Sequence, residues 1–205
     1  MNKNTLITLL LAGLITGIIT EPVFAGKRNG KVGKAPVVVP ALTSAESEDL
    51  LFMREEEKLA RDVYISLFSK WNLRAFNNIS RSETRHMDAI LSLLNKYELT
   101  DPVKEAGIFS NLELQELFDS LIATGLQSKL DAVKVGALIE EVDMEDIFNA
   151  MERTDKSDIL NVYGYLLNGS TNHLIAFVSV IENMTGELYQ AQYLPQELVD
   201  EILGR

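Results

Sequence analysis

The feature that most restricts the fold is a long, nearly proline-free stretch with helical periodicity. Between residues 46 and 195 the sequence contains one proline, Pro102. Apolar residues recur there at steps of three and four, and no segment alternates with a period of two for long enough to predict a strand. Because proline interrupts a helix interior, its near absence leaves long helices free to form. The sequence therefore predicts an all-α fold.

Capping residues and helix breakers divide this stretch into four long helices and two short ones. Thr43 or Ser44 can cap the first helix, Ser80 or Ser82 the second, and Asp155 or Ser157 the last long one. The predicted long helices cover residues 44–71, 80–98, 128–153 and 155–184, and the short ones 111–125 and 196–203. The connection between the second and third long helices is long and contains a short extra helix. This connectivity is typical of a four-helix bundle with one long crossover.

The N-terminal residues 1–25 read as a signal peptide. Lys3 gives a positive start, residues 5–19 are apolar, and Val23-Phe24-Ala25 places small residues before a predicted cleavage ahead of Gly26. An uncleaved membrane anchor is the alternative, because the uncharged residues 4–20 barely reach the length that spans a bilayer. Residues 26–44, with four basic side chains, predict a flexible linker, and residues 45–205 the bundle domain. We expect export to the periplasm or the medium.

Composition excludes several classes of protein. The formal net charge of −11 argues against nucleic-acid binding, because a surface of this sign repels phosphate. The chain has no cysteine, which excludes disulfides, thiolate nucleophiles, iron–sulfur clusters and zinc–thiolate sites. It has two histidines, so a nitrogen-ligated metal site must use His86, His173 or both. No glycine-rich nucleotide loop and no Gly-x-Ser-x-Gly nucleophile motif occurs.

Each of the four long helices carries an apolar stripe that is interrupted near its middle by polar residues. Glu57 interrupts the stripe Leu50, Met53, Ala60, Tyr64, Leu67 and Trp71. Glu83 and His86 lie between Ile79 and Ile90, Glu140 between Ala137 and Met144, and Ser170 with His173 between Leu166 and Phe177. One such interruption would carry little weight. Four at the same level indicate a shared polar site inside the bundle.

The cost of burying charge favours metal binding at this site. An ionised carboxylate in an apolar interior costs several kcal/mol unless it is paired. Glu57, Glu83 and Glu140 would converge with two imidazoles, and neutral histidines cannot offset three negative charges. Two divalent cations can, and Asp143, one turn after Glu140, would add a fourth carboxylate. Carboxylate oxygen with imidazole nitrogen suits Fe, Mn or Zn better than Ca or Mg, and a carboxylate-rich pair favours iron or manganese.

These residues resemble the ferritin-like di-iron carboxylate superfamily. Its pattern is a Glu from each of two helices and Glu-x-x-His from each of the other two, and Glu83-Thr84-Arg85-His86 matches the latter. The segment from Glu57 to Tyr64 resembles the first helix of ferritins and bacterioferritins. The resemblance implies that Glu57, Glu83, His86, Glu140 and His173 are metal ligands, and that Tyr64 orients a ligand through a hydrogen bond.

A narrower resemblance covers nearly all of the predicted mature chain. The segments around Glu57, around Glu140 and around His173 are similar to the uncharacterised family named domain of unknown function 2202, a family placed among ferritin-like proteins. The chain departs from the superfamily pattern on the fourth long helix, where Ser170 stands three residues before His173 in place of Glu. Either Asp143 or Glu141 replaces the missing carboxylate, or the site is asymmetric.

Each candidate ligand also has a purely structural interpretation. Glu57 can form a surface ion pair with Arg61, and Glu55 and Glu56 suggest a solvated run of charge. Glu140 can pair with Lys134 or Arg153. Glu141 is predicted to be exposed, and Asp143 can be an ordinary surface residue of its helix. His173 can be a core histidine, and Tyr64 and Tyr163 core aromatics whose hydroxyls find a partner.

Two functional hypotheses follow from the sequence. The first is an exported di-metal oxidoreductase, with iron or manganese, that acts with dioxygen or peroxide and can oxidise Fe(II) or a small organic molecule. The second is a non-catalytic module that holds Zn, Mn or Fe for storage, buffering or sensing. A metal-free bundle with a buried hydrogen-bond network is a weaker third hypothesis. Expected partners are metal ions, a small-molecule oxidant and further copies of the chain, with no nucleic acid and no membrane span after signal cleavage.

Overall fold

The computed structural model describes residues 41–205, and these residues are helical with no strand. The helices, numbered in chain order, are α1 (Ser44–Trp71), α2 (Arg74–Lys96), α3 (Leu112–Gly125), α4 (Lys129–Met151), α5 (Ser157–Thr185) and α6 (Gln196–Ile202). The predicted all-α fold is confirmed for this part of the chain. The predicted signal peptide, residues 1–25, and most of the predicted linker, residues 26–44, lie outside the described residues.

Local capping chemistry sets several helix starts where the sequence predicts them. Thr43 caps α1 in a reciprocal capping box, in which its hydroxyl accepts from the Glu46 amide and the Glu46 carboxylate accepts from the Thr43 amide. Asn111 caps α3 and Ser128 caps α4, each accepting backbone N–H groups of the first turn. Gly186, with φ 74°, ends α5 in the left-handed conformation that favours glycine.

The predicted start of α2 at Ser80 or Ser82 is wrong. The helix begins six residues before Ser80, at Arg74, and the residue that precedes it, Leu73, forms no side-chain cap. The Ser80 hydroxyl instead donates to the carbonyl oxygen of Asn77 inside the helix. Burial of Phe76 and Ile79 holds the additional turns against the core. Tertiary packing thus extends the helix past a residue that could have capped it.

The four long helices pack in the cyclic order α1, α2, α5, α4, so that α1 lies across the bundle from α5 and α2 across from α4. The long connection between α2 and α4 contains α3, which packs on α1 and α4. Polar side chains of α1 hold this crossover. Arg54 donates two hydrogen bonds to the carboxylate of Asp101, and buried Lys58 donates to Asp62 and to the Ile108 carbonyl.

Apolar packing fills the bundle on either side of its middle. One cluster includes Leu50, Met53, Ile90, Ile147 and Tyr163, all buried. On the other side the rings of Tyr64, Phe76 and Phe177 contact one another at centroid distances of 5.3 to 5.9 Å. The polar interruptions of the stripes lie between these two layers. Within residues 41–205, no helix is long and apolar enough to cross a membrane.

Candidate metal centre

Glu83, on α2, lies at the middle of a buried chain of carboxylates and imidazoles. Its Oε2 lies 2.8 Å from Nδ1 of His86, and its Oε1 lies 2.9 Å from Nδ1 of His173. The Glu83 side chain therefore contacts two histidines, one with each oxygen. His86 lies one helical turn further along α2, whereas His173 comes from α5. A single carboxylate thus joins two helices.

Two further glutamates complete two groups of three residues. Oε2 of Glu57, on α1, lies 3.1 Å from Nδ1 of His86, and Oε2 of Glu140, on α4, lies 3.3 Å from Nδ1 of His173. One group is Glu57, Glu83 and His86, and the other is Glu83, Glu140 and His173; within each, atoms that could hold a metal ion lie within 4.8 Å of one another. All five side chains are buried. The structure thus brings together the five residues singled out by the interrupted stripes.

The two groups are arranged alike around Glu83. The imidazoles of His86 and His173 are stacked, with ring centroids 5.5 Å apart and an angle of 27° between the planes. Each histidine directs Nδ1 toward its own glutamate and toward the shared carboxylate. Glu83 and His86 can do so because residues three apart on a helix face the same side.

Several of these atoms are close together without being hydrogen-bonded. Oε1 of Glu57, Oε1 of Glu83 and Nδ1 of His173 are buried and lack a hydrogen-bond partner in the described part of the chain. The 2.9 Å contact between Glu83 and His173 is therefore a close approach without hydrogen-bond alignment. Leaving a buried polar atom without a partner costs about 1–3 kcal/mol. A cation between these atoms would satisfy them.

Without a metal, the two outer glutamates have raised pKa values, whereas His173 and His86 outweigh burial at Glu83 and lower its pKa to about 2. Burial, followed by repulsion from neighbouring carboxylates, raises the pKa of Glu57 well above its usual range, and burial raises the pKa of Glu140. Burial lowers the pKa of His86, but the Glu57 and Glu83 carboxylates outweigh it and raise the pKa to about 11. His173 behaves in the same way, with a pKa raised to about 10. The raised pKa values favour protonated histidines in the metal-free cluster, and a divalent cation would compete with these protons for the same nitrogen atoms.

Tyr64 lies where it can orient one of the candidate ligands. Its hydroxyl, fully buried on α1, donates to Oε1 of Glu140 at 2.5 Å. The other oxygen of Glu140 is the one that approaches His173. Burial raises the pKa of the Tyr64 hydroxyl well above its usual range, and the Glu140 charge adds to the effect. The phenol therefore remains a hydrogen-bond donor to Glu140 at all ordinary pH values.

Asp143 is buried beside the centre, and its interpretation as a surface residue is wrong. Its Oδ2 accepts a hydrogen bond from the Ser170 hydroxyl, and its Oδ1 is buried without a partner among the described residues. Burial and the Glu140 charge raise its pKa to about 7. Asp143 belongs to neither group of three, yet it interacts electrostatically with Glu57. Ser170, which stands where the superfamily pattern has Glu, thus binds a carboxylate supplied from α4.

Two of the predicted surface ion pairs do not form. Arg61 binds the neighbouring Asp62 through two hydrogen bonds and makes no ion pair with Glu57. Arg153 binds both oxygens of Asp49 and makes no ion pair with Glu140. Both arginines have partners of their own, whereas Glu57 and Glu140 turn toward the histidines.

Glu141 is fully buried, and the prediction that it is exposed is wrong. Its carboxylate accepts hydrogen bonds from the Tyr189 hydroxyl and from the backbone N–H groups of Gln192, Tyr193 and Leu194. The segment between α5 and α6 therefore wraps around this one side chain. Since both oxygens are taken by this segment, Glu141 does not replace the carboxylate missing at position 170.

Glu55 and Glu56 are buried as well, so the solvated run of charge predicted on α1 is also wrong. Glu55 accepts from the backbone N–H groups of Ser110 and Asn111 in the crossover. Glu56 is next to Asp143 and Asp146 on α4. Gly169, which packs against the His86 ring, is not among the predicted site residues. A glycine inside a predicted helix is the sequence signal that could have found it.

The fold and these side chains define a class: an all-α bundle with a buried candidate centre of two Glu/His groups that share a carboxylate. A family model described as "Uncharacterized protein domain (DUF2202)" matches residues 46–205. The chain belongs to this family.

A relative and a solved structure support the assignment. The chain is 47% identical over 165 residues to "Uncharacterized protein MJ0754" of Methanocaldococcus jannaschii, which covers 80% of this chain and 89% of that protein. It is also similar to the crystal structure of hypothetical protein MJ0754 from Methanococcus jannaschii, with a TM-score of 0.79 and 44% identity, over 83% of this chain and 98% of that one.

Proposed function

We propose that the chain is a ferritin-like metal-binding protein whose two Glu/His groups hold a pair of divalent cations, iron or manganese, and use them with dioxygen or peroxide. The observation that carries the proposal is the Glu83 carboxylate, which presents one oxygen to each of two histidines at 2.8 and 2.9 Å. A carboxylate shared in this way could serve as a ligand to both of two cations. A hydrogen-bond network alone would not leave Oε1 of Glu57 and Oδ1 of Asp143 buried and without a partner in the described residues.

The arrangement of the helices supports the ferritin-like assignment. The cyclic order α1, α2, α5, α4 and the crossover between α2 and α4 fit a ferritin-like bundle with one long crossover. The superfamily uses one Glu from each of two helices and Glu-x-x-His from each of the other two. Glu57 and Glu140 correspond to the two single glutamates. Glu83 with His86 corresponds to one Glu-x-x-His pair, and Ser170 with His173 corresponds to the other.

The proposed ligands divide into two sets. Glu57, Glu83 and His86 would hold one cation, and Glu83, Glu140 and His173 the other. Asp143, fixed by the Ser170 hydroxyl, supplies a fourth carboxylate near both sets. Two cations would then meet four acids, which balances the buried charge. Oxygen ligands with one imidazole per ion favour iron or manganese over calcium or magnesium.

The protein's own residues would prepare the centre for redox chemistry. A pair of Fe(II) or Mn(II) ions supplies electrons to dioxygen or peroxide. The apolar layers on either side exclude bulk water, which strengthens every electrostatic interaction inside. Tyr64 fixes Glu140, and Ser170 fixes Asp143, so the carboxylates keep their positions as the charge on the ions changes.

Oxygen uptake tests this proposal. With Fe(II) as the substrate, two Fe(II) ions each give one electron to dioxygen and become Fe(III). The reduced dioxygen takes up two protons and leaves as hydrogen peroxide. Protein loaded with Fe(II) under anaerobic conditions should consume oxygen faster than Fe(II) in buffer, and Glu83→Gln should abolish the difference. Glu48→Gln, at an exposed position of α1, is the matched control. Uptake at the buffer rate by protein that holds two Fe(II) ions would contradict a redox role.

A non-catalytic metal module is the second candidate. Ser170 favours this candidate, because a serine stands there in place of a ligand glutamate. Each proposed cation then has three ligands from its group. The fourth carboxylate, Asp143, is held in position by a hydrogen bond from Ser170. Such a protein would bind Zn(II) or Mn(II) and gain thermal stability from it. It would show no oxygen uptake with Fe(II).

We also propose that the protein acts outside the cytoplasm, because residues 1–25 have the composition of a cleavable signal peptide. Mature protein isolated from the producing organism should begin at Gly26. A chain that retains its first 25 residues in the membrane fraction would contradict cleavage and favour the anchor.

A further inference from the structure

Glu56 is a buried acid that none of the roles described above explains. It is 5% exposed, and its Oε2 has no hydrogen-bond partner in residues 41–205. Its neighbours on α1 are accounted for: Glu55 holds the crossover, Lys58 binds Asp62, and Glu57 belongs to the centre. No lysine or arginine of the described residues forms an ion pair with Glu56. Burying a charged carboxylate without a partner costs several kcal/mol, and a bound cation would offset that cost.

The groups that surround Glu56 are acids of α4. Asp143 and Asp146 are the acids whose charges act most strongly on the Glu56 carboxylate. Oδ1 of Asp143, like Oε2 of Glu56, is buried without a hydrogen-bond partner in the described residues. A divalent cation can bind neighbouring carboxylates of this kind together. We call Glu56, Asp143 and Asp146 the α1–α4 acidic seam.

The seam leads from the surface to the candidate centre. Asp146 is partly exposed, Glu56 is buried, and Asp143 interacts with Glu57 inside the centre. Arg153, whose charge acts on Asp146, binds both oxygens of Asp49 and forms no ion pair with Asp146. The three carboxylates thus include one that is partly exposed and one that interacts with a residue of the centre.

We propose that the α1–α4 acidic seam is the route by which divalent cations reach the centre, with Glu56 and Asp146 forming a transient binding site on the way. The inference rests on the proposed function and adds the side of the bundle from which the metal arrives. A site made of carboxylates alone binds hard divalent cations without the added affinity of imidazole. A cation held there passes on to the Glu/His groups.

Metal-binding kinetics test this route. Co(II) is mixed with the metal-free mature chain in a stopped-flow instrument, and the number of tightly bound ions is measured afterwards by mass spectrometry of the metal. Asp146→Asn and Glu56→Gln should each slow Co(II) association about tenfold, a size typical of lost electrostatic steering. The final number of bound ions should be unchanged. Glu152→Gln, which removes an exposed acid at the end of α4, should leave the rate within about twofold of wild type.

The melting temperature of the metal-free variants distinguishes a role of these acids in metal entry from a role in stabilising the fold. Glu56→Gln removes a buried, unpaired acid and should leave the metal-free melting temperature equal or raise it, whereas a structural role would lower it. Unchanged association rates in both seam variants would overturn the route and leave the proposed function standing. Loss of a tightly bound ion in either variant would also overturn it, because the residue would then be a ligand of the centre. A wild-type chain that binds no Co(II) would instead remove the proposed function.

Discussion

His86 lies against the backbone of Gly169 so closely that no other residue fits there without a shift. A Cβ atom built on Gly169 would lie 2.4 Å from Nε2 and from Cε1 of the His86 ring. Real Cβ atoms do not approach this closely, so the α5 backbone acts as one wall of the His86 position. The close packing of Gly169 therefore limits movement of the His86 ring toward α5.

Gly169→Ala should therefore displace His86 and remove one of the two proposed cations. The added methyl group pushes the ring toward its carboxylates, and the Glu57, Glu83, His86 group loses its alignment. We expect the metal content to fall from two ions per chain toward one. Gly164→Ala on the same helix is the control, because its Cβ would meet nothing within 4 Å. That change should keep both ions and stabilise α5 by about 0.5–1 kcal/mol. Full occupancy in Gly169→Ala would contradict the role given to this glycine.

Substitutions of the glutamates should distinguish the shared ligand from the others. Glu83→Gln removes a ligand of both groups and should abolish tight binding of either ion. Glu57→Gln touches only the His86 group and should leave one ion bound at the Glu140 and His173 side. Isothermal titration with Mn(II) gives the number of sites for each variant. Two sites remaining in Glu83→Gln would show that this carboxylate is not shared.

Metal binding should release protons. Near pH 7 the imidazoles of the metal-free protein are protonated, because the carboxylates hold their pKa values at about 11 for His86 and about 10 for His173 against the effect of burial. An imidazole nitrogen binds a metal only when it carries no proton, so each histidine gives up a proton when a cation binds. Titration in a weakly buffered solution should record this release, and the metal affinity should rise with pH. Affinity that does not change with pH would contradict ligation by both histidines.

Glu46, at the start of α1, should make the stability of the fold depend on pH in the acidic range. Burial raises the pKa of Glu46, but Lys156 and Thr154 outweigh it and lower the pKa from 4.5 to about 2. The stabilisation is therefore fully present above pH 4.5 and is lost as the pH falls toward 2. Glu46→Gln should cost about 2 kcal/mol at neutral pH, measured by urea unfolding. The difference from wild type should shrink below pH 4.5.

Glu48→Gln is the control for Glu46→Gln, because Glu48 lies nearby on α1 and is exposed. This change should alter the unfolding free energy by less than about 0.5 kcal/mol. A difference between Glu46→Gln and wild type that stays constant down to pH 2 would show that the Glu46 charge does not stabilise the fold.

The parts of the fold that follow from local chemistry could be predicted from the sequence. The caps at Thr43, Asn111 and Ser128 depend on side chains two or three residues from the amides they bind. The start of α2 does not follow from local chemistry. Burial of Phe76 extends the helix to residues before Ser80, and this burial depends on helices that are distant in the sequence. Local propensity favours a helix start at the serine, and packing in the core overrides that preference.

The same distinction applies to the candidate centre. Glu57, Glu83, His86, Glu140 and His173 could be found because each interrupts an apolar stripe, and a stripe is a local property of one helix. The prediction that Glu141 is exposed is wrong because its partners lie in a segment without periodicity, at residues 189–194. The prediction for Glu55 and Glu56 is wrong for a related reason, since the crossover and α4 cover the face of α1 that carries them.

Metal content decides whether the two Glu/His groups hold cations. The mature chain, purified without added metal or chelator, is analysed by inductively coupled plasma mass spectrometry beside Glu83→Gln. We expect two ions of iron or manganese per wild-type chain and none in the variant, together with a lower melting temperature after chelation of the wild-type protein. A wild-type chain that holds no metal, even after incubation with Fe(II) or Mn(II), and melts at the same temperature with and without them, would contradict the metal centre.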